Sequence, residues 1–402
     1  MRFMRSIESL GLPLAFPVAP DKGAAFLFAA PSGSGLACRV HAGALVGMQK
    51  EALVADGGNG SLWRMVCDEG PYLNGTDLAP FPLAFFTAGM ALSVLGEVEA
   101  LAGRRGIDPG DCRLVLDNRY GMEGSALKGT MTGSALPVDL TLLSDADLAR
   151  PVLAGLLSDA ALASPAIALV RHALKGQFAI FHDGRPLAPG RVPAHAGTIV
   201  PFDEDLLGRL APAPFDAAPQ PIIEKLSSAE TVFGVEGGAG SSLAAEQSRT
   251  LHVRGTAMRR PDGLYEVKTQ LFKPIGSVFR FIGDGLSRHG GGDRAPSALA
   301  YLSAGIAFCY LTQIGRFAHI AKIPLSGYGI VQDTAFSEPQ ASAGAMEAAS
   351  AEAPISHVTI RSDAGEAEVR RLVDMGEQTC FLHAACRSVQ KPRIHVARKD
   401  AQ

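Results

Sequence analysis

Two stretches of this chain repeat one pattern. Residues 77–93 read DLAPFPLAFFTAGMALS and residues 293–309 read DRAPSALAYLSAGIAFC, so Ser93 aligns with Cys309 at an offset of 216 residues (309 − 93) without a gap. Solenoid repeats have periods of about 20–50 residues. A repeat this long therefore predicts two whole domains of like fold.

A second match follows in the same order. Residues 144–146 and 362–364 both read Ser-Asp-Ala, and each opens a stretch of helical character that reaches Ser164 in the first half and Cys380 in the second. Cys309 and Cys380 therefore both have serine counterparts in the first half. This pattern indicates chemistry that one half retains and the other has lost.

Length and composition bound the class of protein. The chain has 402 residues, which allows two or three domains with full cores. A net charge of −3 argues against a nucleic-acid partner, since such proteins carry a strongly basic face. Six cysteines in so long a chain are no disulfide framework, so a functional cysteine is expected to be catalytic, redox-active or metal-binding. The first 19 residues show no clear export signal, and we expect a cytoplasmic protein.

Two apolar segments, Leu78–Gly96 and Ser297–Gly315, are each long enough to span a membrane. Both are rich in Ala and Gly, begin beside a proline and lie within sequence that alternates like soluble strands and loops. We therefore expect helices buried inside the protein and no membrane partner. Burial of a thiol on such a helix raises its pKa unless a cation or a helix terminus opposes the desolvation.

The order of elements predicts an α+β fold, because runs of strands precede grouped helices in both halves. In the second half, the turn sequence Pro-Asp-Gly at 261–263 lies between two alternating runs and predicts an antiparallel meander. The predicted organisation is a lead-in at 1–35, a domain at 36–186, a Pro/Gly/Ala-rich linker at 187–245 with one short helix over 222–229, and a domain at 246–402 with a loop insertion at 340–353.

Three segments carry a resemblance to a known family: DEGPYLNGTDLAPFPLAFFTAGMALS, GGGDRAPSALAYLSAGIAFC and HVTIRSDAGEAEVRRLVDMGEQTCFL. They resemble the OsmC/Ohr family over residues 38–172 and 252–396. Members of that family form intertwined homodimers with active sites at the subunit interface. The resemblance implies two OsmC-like domains in an intramolecular pseudo-dimer, with antiparallel sheets packed around long buried helices. The first domain would be degenerate, and one competent site would remain.

By this resemblance, Cys309 takes the position of the peroxidatic cysteine and Cys380 that of the resolving cysteine. Cys309 would attack a small-molecule hydroperoxide, and the sulfenic acid would condense with Cys380 to a disulfide. An external dithiol would then reduce the disulfide, without a bound cofactor. The implied role is an oxidoreductase of the oxidative stress response.

The chain departs from the family pattern at two places. Ala300 stands where the hydroperoxide reductases carry a glutamate that pairs with an arginine, and Phe381 stands where they carry a proline. The activating arginine is expected from the first strands of the second half. The candidates are Arg254, Arg259 and Arg260, and we favour Arg259 as the site residue.

Other interpretations remain open. Both cysteines could be ordinary packed core residues. Cys380, His383 and Cys386 could bind a metal with Cys309, although a helix would spread the first three over about 120°. The protein could also be a non-peroxidase that binds a small apolar or thiol-bearing ligand between its halves. The sequence leaves the oligomeric state open.

Overall fold

The computed structural model describes residues 5–19, 36–57, 60–209, 221–229, 247–285, 291–339, 341–342, 345–346 and 348–399. The helices are α1 (Ile7–Leu10), α2 (Pro82–Arg105), α3 (Arg150–Ala163), α4 (Pro165–Arg171), α5 (Leu206–Arg209), α6 (Ala298–Ala321), α7 (Glu366–Thr379) and α8 (Phe381–Arg387). The strands of the first half and the linker are β1 (Ala15–Pro17), β2 (Leu36–Ala44), β3 (Lys50–Asp56), β4 (Ser61–Cys67), β5 (Arg113–Gly124), β6 (Thr132–Ala135), β7 (Asp139–Ser144), β8 (Gln177–His182), β9 (Arg185–Leu187) and β10 (Ile223–Ser227). Those of the second half are β11 (Gln247–Arg259), β12 (Tyr265–Lys273), β13 (Ile275–Gly283), β14 (Gly327–Ser337), β15 (Ala341–Ser342), β16 (Ala345–Met346), β17 (Ser350–Ala351), β18 (Ile355–Arg361) and β19 (Arg393–Arg398).

The fold is α+β with two large sheets, and each sheet contains strands from both halves of the chain. One has the order β1-β4-β3-β2-β14-β18-β8-β9, in which β14 and β18 come from the second half. The other has the order β10-β13-β12-β11-β5-β7-β19, in which β5 and β7 come from the first half. The halves therefore exchange strands, and neither large sheet is built from one half alone.

The expectation of antiparallel sheets was wrong, because both sheets are mixed. β8 runs parallel to β18, and β19 runs parallel to β7. Each of these terminal strands follows a helical pair, α3–α4 or α7–α8, rather than a hairpin turn. Each helical pair carries the chain from one large sheet to the other, where β8 and β19 each run parallel to a strand of the opposite half. The meander β11-β12-β13 is antiparallel, as predicted.

The two long helices form the centre of the protein. α2 packs on β5, β11 and β12 of one sheet, α6 packs on β2, β3 and β14 of the other, and the helices pack on each other. Both are long and apolar enough to cross a membrane by length and composition, yet 89% and 94% of their most apolar windows are buried inside the protein. The prediction of two buried helices is confirmed.

Two equivalent glycines allow the helices to cross closely. A Cβ at Gly89 of α2 would lie 2.5 Å from the carbonyl oxygen of Ala298, and a Cβ at Gly305 of α6 would lie 2.7 Å from the backbone nitrogen of Phe86. Gly89 and Gly305 are related by the 216-residue offset. The glycines at the helix crossing are therefore part of the duplicated pattern.

Local turns repeat in the same way. The carboxylates of Asp68 and Asp284 each accept a hydrogen bond of 2.8 Å from the next backbone N–H and others from the loop that leads to the long helix. Asp77 and Asp293, which follow in those loops, both adopt a left-handed backbone with φ of 58°. Residues that are 216 positions apart are therefore equivalent in structure as well as in sequence.

The predicted short helix over 222–229 was wrong, since Ile223–Ser227 forms β10 at the edge of a sheet, antiparallel to β13. A short segment takes the conformation that its neighbour dictates, and here the edge of β13 offers backbone partners. Lys225 of β10 also bonds to the carboxylate of Asp77 at 2.5 Å. Residues 210–220 and 230–246 of the predicted linker, and residues 340, 343–344 and 347 of the predicted loop insertion, lie outside the described residues.

Candidate active site

Cys309 and Cys380 meet in the core. Cys309 lies in the middle of α6, and Cys380 lies between two helices, where it ends α7 and caps the start of α8. The Cys380 sulfur accepts a hydrogen bond from the backbone N–H of His383 at 3.5 Å. The helices α6 and α8 pack on each other. Both cysteines are free, with at most 2% of the residue exposed, and Cys380 acts electrostatically on Cys309.

The first half repeats this arrangement with hydroxyls. Ser93 of α2 and Ser164 lie 2.8 Å apart, oxygen to oxygen, and share a hydrogen bond. Ser164 caps α4 and accepts a hydrogen bond of 3.2 Å from the backbone N–H of Ile167. Ser164 and Cys380 are thus equivalent in position and in local bonding.

Burial dominates the electrostatics of the thiol pair. Desolvation raises the pKa of Cys309 well above its ordinary value of 9.0, and the hydrogen bond and charge of Cys380 raise it further. A hydrogen bond from the backbone of Leu382 opposes this rise. A third thiol, Cys386, also has its pKa raised, first by burial and then by Cys380.

A carboxylate from the first half reaches the Cys309 side of this core. Glu69 follows β4, and its two carboxylate oxygens accept hydrogen bonds from the Tyr72 hydroxyl at 2.9 Å and the Thr312 hydroxyl at 3.1 Å. Thr312 lies one helical turn after Cys309. Burial raises the pKa of Glu69, while the charges of Lys50 and Arg316 act to lower it.

Two buried guanidinium groups accompany this carboxylate. Arg316 lies one turn after Thr312 on α6, donates to the side-chain oxygen of Gln313 at 3.2 Å and interacts electrostatically with Glu69, Tyr72 and Cys309. Arg249, at the start of β11, has its pKa lowered to about 9 by burial and then by Arg316. Arg316 is the cation of this group that interacts electrostatically with Cys309.

The three arginines expected from sequence lie in other ion pairs. The Arg259 guanidinium bonds to the Glu99 carboxylate at 2.5 Å and to the Tyr265 hydroxyl at 3.4 Å. Arg254 pairs with Asp117, and Arg260 pairs with Asp262 and Glu266. The structure thus brings Cys309 and Cys380 together and places Arg259 with α2 instead.

Glu69, Thr312 and Arg316 were not predicted from the sequence, although a signal was present. At the 216-residue offset these positions hold Gly285, Gly96 and Ala100. The residues equivalent to these polar partners are therefore all Gly or Ala. Polar residues that face Gly or Ala in the other copy would have identified the set.

The metal interpretation finds no ligand set. Among the residues that the structure describes, no group of three or more His, Cys, Asp or Glu side chains could hold a metal ion. His383 points its ring at Tyr310, with the ring centroids 4.8 Å apart.

Comparisons with known proteins yield one partial likeness. No protein-family model matches the chain, and no curated protein matches it. A solved structure of an OsmC-like hydroperoxide resistance protein from Jannaschia sp. is 22% identical, covers 30% of this chain and 75% of its own, and has a TM-score of 0.21. The chain is therefore weakly similar to an OsmC-like protein. A likeness with so low a TM-score carries no argument about fold or function.

Proposed function

We propose that this protein is a thiol-dependent hydroperoxide reductase in which Cys309 is the attacking thiol and Cys380 the resolving thiol. The observation that carries the proposal is the placement of Cys309 on α6 and Cys380 at the start of α8, two helices that pack together, where the first half holds the hydrogen-bonded pair Ser93 and Ser164. A packing role alone would not need sulfur, because hydroxyls fill the same positions in the same fold.

The chemistry balances with a hydroperoxide and an external dithiol. The Cys309 thiolate attacks the terminal oxygen of ROOH, the S–O bond forms, the O–O bond breaks, and the alkoxide leaves as ROH after taking up a proton. The Cys380 thiol then loses its proton and attacks the sulfenic sulfur, the S–S bond forms and the S–O bond breaks. The hydroxide takes up that proton and leaves as water. A small dithiol restores both thiols by exchange and is itself oxidised to a disulfide.

The buried charges have a defined part in this scheme. Thiolate formation at Cys309 is opposed by desolvation, so a cation has to compensate for the new negative charge. Arg316 interacts electrostatically with Cys309, and the Thr312 hydroxyl, one helical turn after Cys309, donates to the Glu69 carboxylate. We assign to Arg316 the activating role that the sequence had suggested for Arg259.

The architecture proposed for this activity is a fused pair of OsmC/Ohr-like domains. Strand exchange between the halves supports it, because β2 pairs with β14 and β5 pairs with β11 across the duplication. Glu69 of the first half beside Cys309 of the second would make the site an interface between the two domains. We further propose that the protein acts in the cytoplasm, where a thiol reductant is present.

The test is to treat the reduced protein with tert-butyl hydroperoxide and map its disulfides by mass spectrometry. We expect one disulfide, between Cys309 and Cys380, and peroxide consumption when a dithiol is supplied. Cys309→Ser should abolish consumption, and Cys380→Ser should accumulate a sulfenic acid that a dimedone probe traps.

A matched control is Cys112→Ser, since Cys112 is a buried cysteine whose neighbours are Glu99 and Asp111 rather than the thiol pair. This variant should behave as wild type. If both thiols stay reduced under hydroperoxide, the proposal is wrong, and binding of a small ligand between the halves becomes the function to pursue.

A further inference from the structure

Tyr120 has a hydroxyl that the fold does not use. Its residue is 1% exposed, and within the described part of the chain its oxygen has no hydrogen-bond partner. The ring packs against Phe381, the residue after Cys380, with 5.7 Å between ring centroids. A buried hydroxyl without a partner destabilises a protein, so its presence calls for a functional reason.

Three thiols act electrostatically on the Tyr120 phenol. They are Cys309, then Cys386 and Cys380. Tyr120 belongs to β5 of the first half, whereas the cysteines belong to the second half. The phenol ring therefore contacts the residue after Cys380 from the opposite half.

The other half shows that the fold needs only the ring. At the 216-residue offset Tyr120 aligns with Phe336, just as Asp117 aligns with Asp333 on the same pair of strands. Phe336 is also 1% exposed. The hydroxyl is therefore present on Tyr120 of the first half and absent from its equivalent in the second half, Phe336.

We propose that Tyr120 is a further catalytic residue, the proton donor to the oxygen that leaves when Cys309 attacks a hydroperoxide. The inference rests on the proposed function and extends it. In the step, the Cys309 sulfur bonds to the terminal oxygen, the O–O bond breaks, and the phenol proton passes to the departing alkoxide, which yields ROH and a tyrosinate. The tyrosinate regains the proton that the Cys309 thiol lost, so the protein returns with no net change in protonation.

Two properties suit Tyr120 to this role. Among the described residues its donor has no acceptor, so turning it toward a substrate breaks no bond within that part of the chain. Burial raises the pKa of Tyr120 well above its ordinary value of 10.0, so the phenol is fully protonated at neutral pH. A positioned proton donor typically contributes a factor of about 10²–10⁴ in rate.

The experiment compares two reagents on wild type and Tyr120→Phe. With tert-butyl hydroperoxide the leaving alkoxide is strongly basic and needs a proton. With methyl methanethiosulfonate the leaving sulfinate is weakly basic and needs none. We expect Tyr120→Phe to slow the hydroperoxide reaction of Cys309 by about 100-fold and to leave its methanethiosulfonate reaction within about twofold, since no proton donor is involved.

The control is Tyr301→Phe, because Tyr301 is also buried but its hydroxyl donates to the backbone oxygen of Ile282 at 2.6 Å. It should change neither rate by more than about twofold, since its proton is not near the thiols. Equal hydroperoxide rates in wild type and Tyr120→Phe would overturn the role of Tyr120 and leave the proposed function standing. A parallel loss with both reagents would also overturn it, since that pattern means a disturbed Cys309. A wild-type protein inert to hydroperoxide but reactive with the methanethiosulfonate would overturn both proposals.

Discussion

Ser93 and Ser164 share a hydrogen bond of 2.8 Å at the place where the second half holds Cys309 and Cys380. Both pairs join the middle of a long buried helix to the cap of a short one. The backbone therefore builds the same close approach twice, and only the side-chain atoms differ. The serine pair is a built-in control for what the thiol pair does.

Converting the serine pair tests whether proximity alone is enough. In a background of Cys309→Ser and Cys380→Ser, we expect Ser93→Cys with Ser164→Cys to form a disulfide with diamide, a general thiol oxidant. With tert-butyl hydroperoxide the new pair should react at least about 100-fold more slowly than Cys309 does in wild type, because a proton donor is missing. At the 216-residue offset, Gly285, Ala100 and Phe336 are the equivalents of Glu69, Arg316 and Tyr120. Peptide mapping after each oxidant measures both results, and equal peroxide rates would refute any role of these polar groups.

The peroxide reaction should depend steeply on pH. The pKa of Cys309 is raised above 9.0, first by burial, so at lower pH only a small fraction is thiolate. Because that fraction rises tenfold per pH unit below the pKa, the rate of Cys309 oxidation should rise about tenfold per unit from about pH 6 to 8.5. Stopped-flow measurement of the single-turnover reaction gives the profile. A plateau that begins below about pH 7 would mean that Arg316 and its neighbours outweigh desolvation.

His383 should make the protein sensitive to acid. It is buried, its ring nitrogens have no hydrogen-bond partner among the described residues, and burial followed by Arg387 lowers its pKa to about 3 from 6.5. Between those values the unfolded chain binds the proton and the folded chain does not, so stability is lost as pH falls. His383 alone should lower the free energy of unfolding by about 1.4 kcal/mol for each unit that the pH falls between about pH 6 and 4.

The variant His383→Ile places the first-half residue, Ile167, at this position. Urea unfolding at pH 4, 5 and 6 should show a slope of the unfolding free energy that is smaller by about 1.4 kcal/mol per unit than in wild type. His357, whose pKa burial lowers to about 4, contributes equally to both proteins and so cancels in the comparison. An unchanged slope would show that His383 is protonated in the folded state or exchanges with solvent.

The helix crossing should tolerate no added methyl group. Gly89→Ala and Gly305→Ala would each press a Cβ against backbone atoms of the facing helix, at 2.5 and 2.7 Å. Each should lower the free energy of unfolding by about 1–3 kcal/mol, the usual cost of overpacking. Gly103→Ala is the matched control, since Gly103 lies on α2 with nothing within 4 Å of a Cβ. That change should raise stability by up to about 1 kcal/mol, because alanine favours helix. Thermal unfolding of the three variants compares them, and a similar effect in all three would exclude close packing as the cause.

The parts of the structure that the sequence predicted depend on residues that are close together in the chain. The two uncharged segments became buried helices of 24 residues each, because their length and apolarity leave few other solutions. The turn at 261–263 joined β11 to β12, because Pro-Asp-Gly favours a reversal. The alignment of Cys309 and Cys380 with serines of the first half was visible in the sequence. These properties depend on neighbours in the chain.

The sequence by itself determined the duplication, the α+β class, the long core helices and the two sulfur positions that one copy holds alone. Only the tertiary structure decided that the halves exchange strands, that both sheets are mixed, and that Glu69, Arg316 and Tyr120 border the thiols while Arg259 pairs with Glu99. The physical reason is the distance along the sequence over which each interaction acts. Helix and turn preferences act over a few residues, whereas the partners of Cys309 come from strands and loops that are distant in sequence and from the opposite half. Their approach depends on how two sheets and two helices close around one core.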